Sequence, residues 1–296
     1  MNLREPCLPR GWYPREKGAV EAFLKPFAAG DCPAQSRQSA PAAIAPHAGW
    51  YYSGIPAAMA AASLDRDAQT VVVIGGHLPS DRPILLAEED GIKTPFGTMN
   101  IDRQLREEFK KQVSAEKPVN SDRYQDNTVE VLLPMVHYFF PRAELLWLRF
   151  PAEQYSLMAG KLLAESARKL GRHIAVLAST DLTHYGENYG YSPRGRGKPA
   201  LEWVKTVNDA AFITAVLDNS PSRVLKHAAE DFAACSAGAV LGAMGFAACC
   251  GTSPGGTNSA GTINARLLDY RTSADIGGAD EIPDSFVGYA ALSIHC

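Results

Sequence analysis

The sequence lacks the motifs of several common enzyme classes. It has no G-x-G-x-x-G, P-loop, H-E-x-x-H or G-x-S-x-G pattern, so nucleotide binding, a zincin and an α/β-hydrolase have no support. Its 6 cysteines contain no C-x-x-C pair, which excludes a zinc ribbon and a dithiol redox motif. A cysteine with a chemical role must therefore act singly.

The chain also lacks strongly charged and strongly apolar segments. Lys and Arg number 29 against 32 Asp and Glu, and without a basic run we expect no nucleic-acid partner. Residues 1–16 include several charged side chains and lack the apolar stretch of a secretory signal. We therefore expect a cytoplasmic protein. Residues 232–250 carry no charge but are mostly Ala, Gly and Cys, which predicts a buried core helix and not a membrane span.

Short apolar runs alternate with segments of helical period, which is typical of an α/β fold. We predict a central, mostly parallel sheet with helices on both faces, in a single domain over residues 1–296. The predicted strands are residues 42–45, 70–74, 83–87, 144–150, 174–178, 263–270 and 286–294. The predicted helices are residues 54–64, 102–113, 128–139, 153–170, 201–216, 222–230 and 236–249. Gly- and Pro-rich loops are expected at 185–199 and 251–261.

Polar residues follow three of the predicted buried strands. His47 comes after AAIAP, His77 after VVVIGG, and Asp181 with His184 after IAVLAST. Ligands bind beyond the carboxyl ends of strands in open parallel sheets, so we expect these four side chains to share one pocket. His184 suits proton transfer, and Asp181 suits either a hydrogen bond to a ligand histidine or direct metal binding. The alternative is that the neighbouring glycines only form tight turns and the histidines are incidental.

Cys235 is a further candidate because it precedes the predicted helix at 236–249. A helix N-terminus stabilises a thiolate, so this residue suits metal ligation or nucleophilic attack. The alternative reading is a small buried hydrophobic residue, which we adopt for Cys249 and Cys250. The other four histidines are interpreted as structural: His137, His173, His227 and His295.

Several segments together resemble the Memo family, which includes AmmeMemoRadiSam system protein B and is related in fold to the class III extradiol dioxygenases of the LigB type. The most specific are APHAGWYYSG at residues 45–54 and STDLTHYG at residues 179–186. The others are GWYP at 11–14, GGH at 75–77, KTPFGT at 93–98, VEVLLP at 129–134, LLDYRTSAD at 267–275 and VGYAALS at 287–293. The chain departs from the family pattern at Asn127, Ser236 and Ala239, and in having a single histidine in the GGH turn.

The resemblance implies a LigB-like fold whose pocket binds iron, as Fe(II), or copper through His47, His77 and Cys235. It also implies that Asp181 and His184 line this pocket, with His184 as the acid/base, and that the activity is that of a dioxygenase-like oxidoreductase. The family name further suggests a functional link to a radical SAM enzyme.

The aromatic residues beside His47 leave a second function open. Trp50 and Tyr52 are candidate substrate-binding residues, and their rings suit a small molecule or a peptide side chain. One hypothesis is therefore a metal-dependent redox enzyme of unknown substrate. The other is a non-catalytic peptide-binding or assembly module that retains the dioxygenase-like pocket.

Overall fold

The computed structural model describes residues 2–28, 39–250, 263–276 and 282–296. Its strands are β1 (Leu3–Arg4), β2 (Ala42–Ala45), β3 (Thr70–Leu78), β4 (Ile84–Leu86), β5 (Gly91–Thr94), β6 (Gly97–Asn100), β7 (Val119–Ser121), β8 (Glu144–Pro151), β9 (Ile174–Ser179), β10 (His184–Gly186), β11 (Asn264–Thr272) and β12 (Ser285–His295). Its α-helices are α1 (Lys17–Ala28), α2 (Trp50–Ser63), α3 (Arg103–Val113), α4 (Asn127–Glu130), α5 (Leu133–Phe139), α6 (Tyr155–Lys169), α7 (Lys198–Trp203), α8 (Asp209–Leu217), α9 (Pro221–Glu230) and α10 (Ala237–Cys250). A π-helical turn, Val204–Asn208, joins α7 to α8.

Nine of the strands form one sheet in the order β10-β12-β2-β9-β3-β8-β4-β7, with β11 paired to β12. The central strands β2, β9, β3 and β8 run parallel to one another. Antiparallel pairs flank them, β12 with β2 on one side and β4 with β8 on the other. The predicted α/β class is confirmed, and its parallel part is the centre of the sheet.

Both faces of the sheet are covered, because successive side chains of a strand point to opposite faces. On β3, Val71 and Val73 pack in one apolar cluster with α2 and α5, whereas Val72 and Ile74 pack in another with α6 and α10. The prediction of a buried helix at 236–249 is confirmed by α10. Phe232 lies outside that helix, and no described helix is long and apolar enough to cross a bilayer.

The structure differs from the predicted elements in several places. The predicted helix 128–139 is two short helices, α4 and α5, and Pro134 at the start of α5 has no amide hydrogen with which to continue the preceding helix. Helix α1 and the β5–β6 hairpin were not predicted. Asp102 caps α3, since its side chain accepts a hydrogen bond from the Leu105 amide at 2.9 Å. The loop predicted at 251–261 lies outside the described residues.

Candidate metal centre

The register of the central strands brings the predicted residues to one edge of the sheet. Ala45 of β2 lies opposite Ser179 of β9, and Ile74 of β3 lies opposite Ala178. Strands β2 and β9 therefore end level with one another, whereas β3 continues to Leu78 and includes His77. His47 and Asp181 each follow their strand by two residues, so both leave the sheet at the same height.

Two imidazoles and one thiol meet at this edge. Nε2 of His47 lies 3.2 Å from Sγ of Cys235, and the rings of His47 and His77 meet edge to face with centroids 4.8 Å apart. The ligand atoms of the three residues all lie within 4.8 Å of one another. His47 is buried, whereas the side chain of His77 is 33% exposed, so the cluster is reachable from outside.

Hydrogen bonds from the amides of Cys235 and Ser236 position Cys235 next to the two histidines. Its amide donates to the Asp181 carbonyl at 3.2 Å, and the Ser236 amide donates to Thr180 Oγ1 at 3.1 Å. A Cβ on Gly76 would overlap the side chain of Ser236. Only glycine therefore allows the end of β3 to approach the cysteine segment this closely.

The charges of the cluster support a thiolate at Cys235. Burial alone would raise the pKa of this thiol, but the adjacent His47 and His77 lower it well below its usual value. Burial would lower the pKa of both imidazoles. Asp181 and Cys235 outweigh burial and raise the pKa of His47, and hydrogen bonds to Asp126 and Cys235 raise the pKa of His77 to about 10. From the sequence we expected the helix N-terminus to stabilise the thiolate, whereas the two imidazoles are the main cause of the lowered pKa of Cys235.

Each imidazole has a partner on its Nδ1 atom that the sequence did not reveal. Nδ1 of His47 lies 2.7 Å from Ser179 Oγ, and Nδ1 of His77 lies 3.1 Å from Asp126 Oδ2. Nε2 of each ring is thereby left for the centre of the cluster. Asp181, the predicted partner of a ligand histidine, instead accepts from the His47 amide at 2.7 Å, and its Oδ2 lies 3.9 Å from Nε2.

A cavity of about 800 Å³ opens beside the cluster. Its lining includes Asp181, His184 and Tyr52, together with the exposed ring of Tyr51. Trp50 does not line it. The Trp50 indole is buried against Phe23, and its Nε1 donates to the Val131 carbonyl at 2.9 Å. The substrate contact of Trp50 stays a prediction.

His184 faces the cavity from β10. Its Nδ1 lies 3.1 Å from the Leu182 carbonyl, so Nδ1 carries the hydrogen and Nε2 is the basic atom. Its ring meets that of Tyr189 edge to face, with centroids 5.0 Å apart. The preceding residue, Thr183, donates its amide to Asp209 Oδ1 at 3.1 Å. The backbone carbonyl of Leu182, and not Asp181, thus orients the imidazole.

A second cavity of about 410 Å³ reaches the cluster from another side. His77 and Cys235 line it, and the remaining lining residues are apolar: Leu78, Pro79, Ala152, Leu225, Ala228, Ala229, Ala234 and Ala237. His77 and Cys235 thus lie in the wall of the apolar cavity, whereas the larger cavity meets the site through Asn127, Asp181 and His184.

The N-terminal segment forms part of the wall of the larger cavity, and contacts with Glu130 fix the position of this segment. The Glu130 carboxylate accepts from the amides of Cys7 and Leu8 at 2.9 and 3.0 Å, and from the Tyr13 hydroxyl at 2.9 Å. The Trp12 carbonyl accepts from the Trp50 amide at 2.7 Å, which fixes the segment against α2. Through these contacts residues 10–12 become part of the cavity wall.

Asn127, one of the departures from the family pattern, has a definite place in the site. Its Nδ2 donates to the His47 carbonyl at 2.9 Å, and it lines the larger cavity. The four histidines interpreted as structural have partners outside the cluster: Thr94 for His137, Asp65 for His173, Asp231 for His227 and Ser293 for His295.

The amino-acid sequence resembles proteins of several archaea along almost its entire length. A MEMO1 family protein of Pyrococcus abyssi is 29% identical over 301 residues, with 98% of each chain covered. A MEMO1 family protein of Pyrococcus furiosus is 28% identical, again with 98% of each chain covered. A MEMO1 family protein of Methanosarcina mazei is 27% identical and covers 99% of this chain and 100% of its own.

The fold and the family model agree with these sequence similarities. An uncharacterized protein from Escherichia coli K12 has a similar fold, with a TM-score of 0.51 at 14% identity, covering 84% of this chain and 98% of its own. The family model described as Memo-like protein matches residues 4–293. The chain therefore belongs to the Memo-like protein family.

Proposed function

We propose that this protein binds a redox-active transition metal, iron as Fe(II) or copper, through His47, His77 and Cys235, and that it is an oxidoreductase. One observation carries the proposal: three donor atoms of the types that bind these metals lie within 4.8 Å of one another. The residues are far apart in sequence: His47 follows β2, His77 lies near the end of β3, and the contacts of Cys235 and Ser236 with Asp181 and Thr180 bring the thiol to the imidazoles.

The donor set fits such a metal. The imidazoles hold Cys235 as a thiolate, the form in which cysteine binds metals, and both rings direct Nε2 to the cluster. Two imidazoles and a thiolate suit iron, copper and zinc, so the resemblance to dioxygenases is what favours a redox metal. When bound, the metal would supply activation of dioxygen or of a reduced oxygen species.

The residues of the larger cavity would handle a substrate proton. Nε2 of His184 is the basic atom of that ring, and the residue lines the cavity together with Asp181. Burial raises the pKa of the Asp181 carboxyl, and the adjacent His47 opposes this rise. We assign proton acceptance from a small molecule or peptide substrate to His184, and a supporting charge beside the metal to Asp181.

Metal analysis of the purified protein tests the proposal. We expect about one iron or copper per chain in protein purified without chelator, and loss of that metal in His47→Ala, His77→Ala and Cys235→Ser. His173→Ala is the matched control, because His173 lies at the opposite end of β9, paired with Asp65. Equal metal content in the wild type and in all three ligand variants would contradict the proposal.

One observation also favours a second function, the binding of a peptide without turnover. The rings of Tyr51 and Tyr52 are exposed at the larger cavity and meet edge to face, with centroids 5.0 Å apart. Aromatic rings of this kind provide contact area for a side chain of a partner. Saturable peptide binding that persists after metal removal would favour this function, whereas oxygen consumption on addition of iron or copper would favour the enzyme.

A further inference from the structure

We infer that Asp126, held in place by Arg149, is a positioning residue that fixes His77 as a metal ligand. The inference rests on the proposed metal site and adds two residues that neither the motifs nor the family match assigns. Four structural observations support it: the exposure of His77, its contact with Asp126, the anchoring of Asp126, and the contrast with His47.

His77 cannot be fixed by packing alone. Its side chain is 33% exposed, and its backbone has a positive φ of 56°, which is uncommon for a residue with a side chain. An exposed imidazole with a free ring could present either nitrogen to a metal. A well-defined ligand at this position therefore needs a polar partner that selects the nitrogen.

The Asp126 carboxylate is that partner. Its Oδ2 lies 3.1 Å from Nδ1 of His77, so Nδ1 donates to the carboxylate and Nε2 is left to bind the metal. A carboxylate on the distal nitrogen also makes the ligating nitrogen more basic. Asp126 therefore fixes both the choice of nitrogen and the plane of the ring.

Asp126 is itself fixed from two directions. Its Oδ1 accepts from the Thr128 amide at 2.9 Å as the cap of α4, and its Oδ2 lies 3.1 Å from Nη2 of Arg149. Nε of the same arginine donates to the Gly76 carbonyl at 2.9 Å. Gly76, His77, Asp126 and Arg149 thus form a closed ring of contacts around the ligand histidine.

Arg149 is suited to this position by its planar fork of donors. It is buried, and its Nη1 pairs with Asp122 Oδ1 at 3.4 Å on the far side. One guanidinium therefore links the backbone next to His77, the carboxylate on its ring and a second buried carboxylate. A lysine could not make all three contacts at once.

His47 shows the opposite arrangement. It is 1% exposed, and the partner of its Nδ1 is the neutral hydroxyl of Ser179. Packing already fixes that ring, so the loss of its polar partner should matter less. We therefore expect metal binding to depend more on the Nδ1 partner of His77 than on that of His47.

Cobalt titration of the full chain tests the inference, with Co²⁺ alone as the probe and thiolate-to-cobalt absorption as the signal. We expect Asp126→Asn to weaken Co²⁺ binding about 10- to 100-fold, and Arg149→Lys to weaken it by a smaller factor. Asp126→Glu, which keeps the carboxylate, should restore part of the affinity. Asp65→Asn is the matched control, because it alters a histidine–aspartate pair outside the cluster and should leave Co²⁺ binding unchanged.

A second readout separates positioning from a general loss of structure. In Zn²⁺-loaded protein, nitrogen NMR should show His77 bound through Nε2 in the wild type and a mixture of bound nitrogens in Asp126→Asn. Unchanged Co²⁺ affinity in Asp126→Asn and Arg149→Lys, with tight wild-type binding, would overturn the inference alone. Absence of Co²⁺ binding by the wild type would overturn the proposed function and this inference with it.

Discussion

Two carboxylates that support the site, the half-buried Asp126 beside His77 and the buried Asp209 beside Thr183, have pKa values shifted in opposite directions. Burial would raise the pKa of Asp126, but His77 and Arg149 hold it well below its usual range. Burial raises the pKa of Asp209 to about 6, and the hydrogen bonds from its neutral partners Thr183 and Tyr270 oppose this rise only in part. Cationic partners thus give an anion on one side of the site, and neutral partners leave a group that titrates near neutrality on the other.

This difference shows how the two sides are held. Ionic contacts order the His77 side, whereas neutral hydrogen bonds order the segment at Thr183 that leads into β10, which carries His184. The ionic side should respond to the loss of a charge and to acid. The neutral side should respond to a rise in pH through the pKa of Asp209.

The largest effect is expected from Gly76→Ala on the ionic side. The new methyl group would overlap Ser236 and displace Cys235 from the histidines, so we expect more than tenfold weaker metal binding and a loss of about 3 kcal/mol in unfolding free energy. Denaturant unfolding and metal titration measure the two effects. Gly49→Ala is the control, since its Cβ would have no neighbour closer than 3.5 Å. Equal behaviour of the two variants would show that the close approach is unimportant.

Asp126→Asn should destabilise the metal-free protein by about 2 kcal/mol at pH 7, because it removes a charged hydrogen-bond acceptor. A lowered carboxyl pKa stabilises the fold above the unfolded value of 3.8 and loses that contribution as pH falls. The penalty of the variant should therefore shrink by about 1 kcal/mol between pH 5 and pH 3. Urea unfolding across this pH range measures it, and a constant penalty would show that Asp126 is not the charged partner described here.

The stability effect of Asp209→Asn should depend on pH in the opposite direction to that of Asp126→Asn. A raised carboxyl pKa favours the fold below the unfolded value of 3.8, and that contribution is lost as pH rises through about 6. The variant lacks this loss, so its unfolding free energy relative to wild type should rise by about 1.5 kcal/mol from pH 5 to pH 8. Urea unfolding at the two pH values measures the change. A difference that stays flat with pH would contradict the assignment.

The smallest effect is expected from Tyr270→Phe on the neutral side. The Tyr270 hydroxyl donates to Asp209 Oδ2 at 2.7 Å, and its loss should cost about 0.5 to 1 kcal/mol. The same change should move the pKa of Asp209 further upward, because one stabilising donor is gone. Thermal unfolding and infrared titration of the carboxyl group measure the two effects. A fall in the pKa of Asp209 would contradict the view that neutral hydrogen bonds stabilise its carboxylate on this side of the site.

Much of the sheet and the place of the site followed from local patterns. The apolar runs at 42–45, 70–74 and 174–178 lie in strands β2, β3 and β9. His47 and Asp181 follow the level ends of β2 and β9, whereas β3 runs on to Leu78 and contains His77. The Memo-family recognition and the α/β class are confirmed. The single-domain organisation and the chemical roles of the site residues stay predictions.

The partners of the histidines escaped prediction because they depend on contacts between distant segments. Asp126 lies in a polar stretch without periodicity, 49 residues from His77. The cap that this carboxylate forms for α4 is a local contact, but its contact with His77 is not. The different exposure of Trp50 and its neighbours has a local cause: α2 begins at this residue, and the 100° turn per residue directs Trp50 inward while Tyr51 and Tyr52 face the solvent.

The hydrogen bonds between Glu130 and the N-terminal segment have a practical consequence for binding experiments. Arg10, Gly11 and Trp12 form part of the cavity wall, although they precede every strand of the central sheet. Removal of residues 1–12 would take away this part of the wall while leaving the strands of the central sheet in place. Binding assays are therefore best performed with residues 10–12 retained, and a chain without them becomes a tool for opening the cavity.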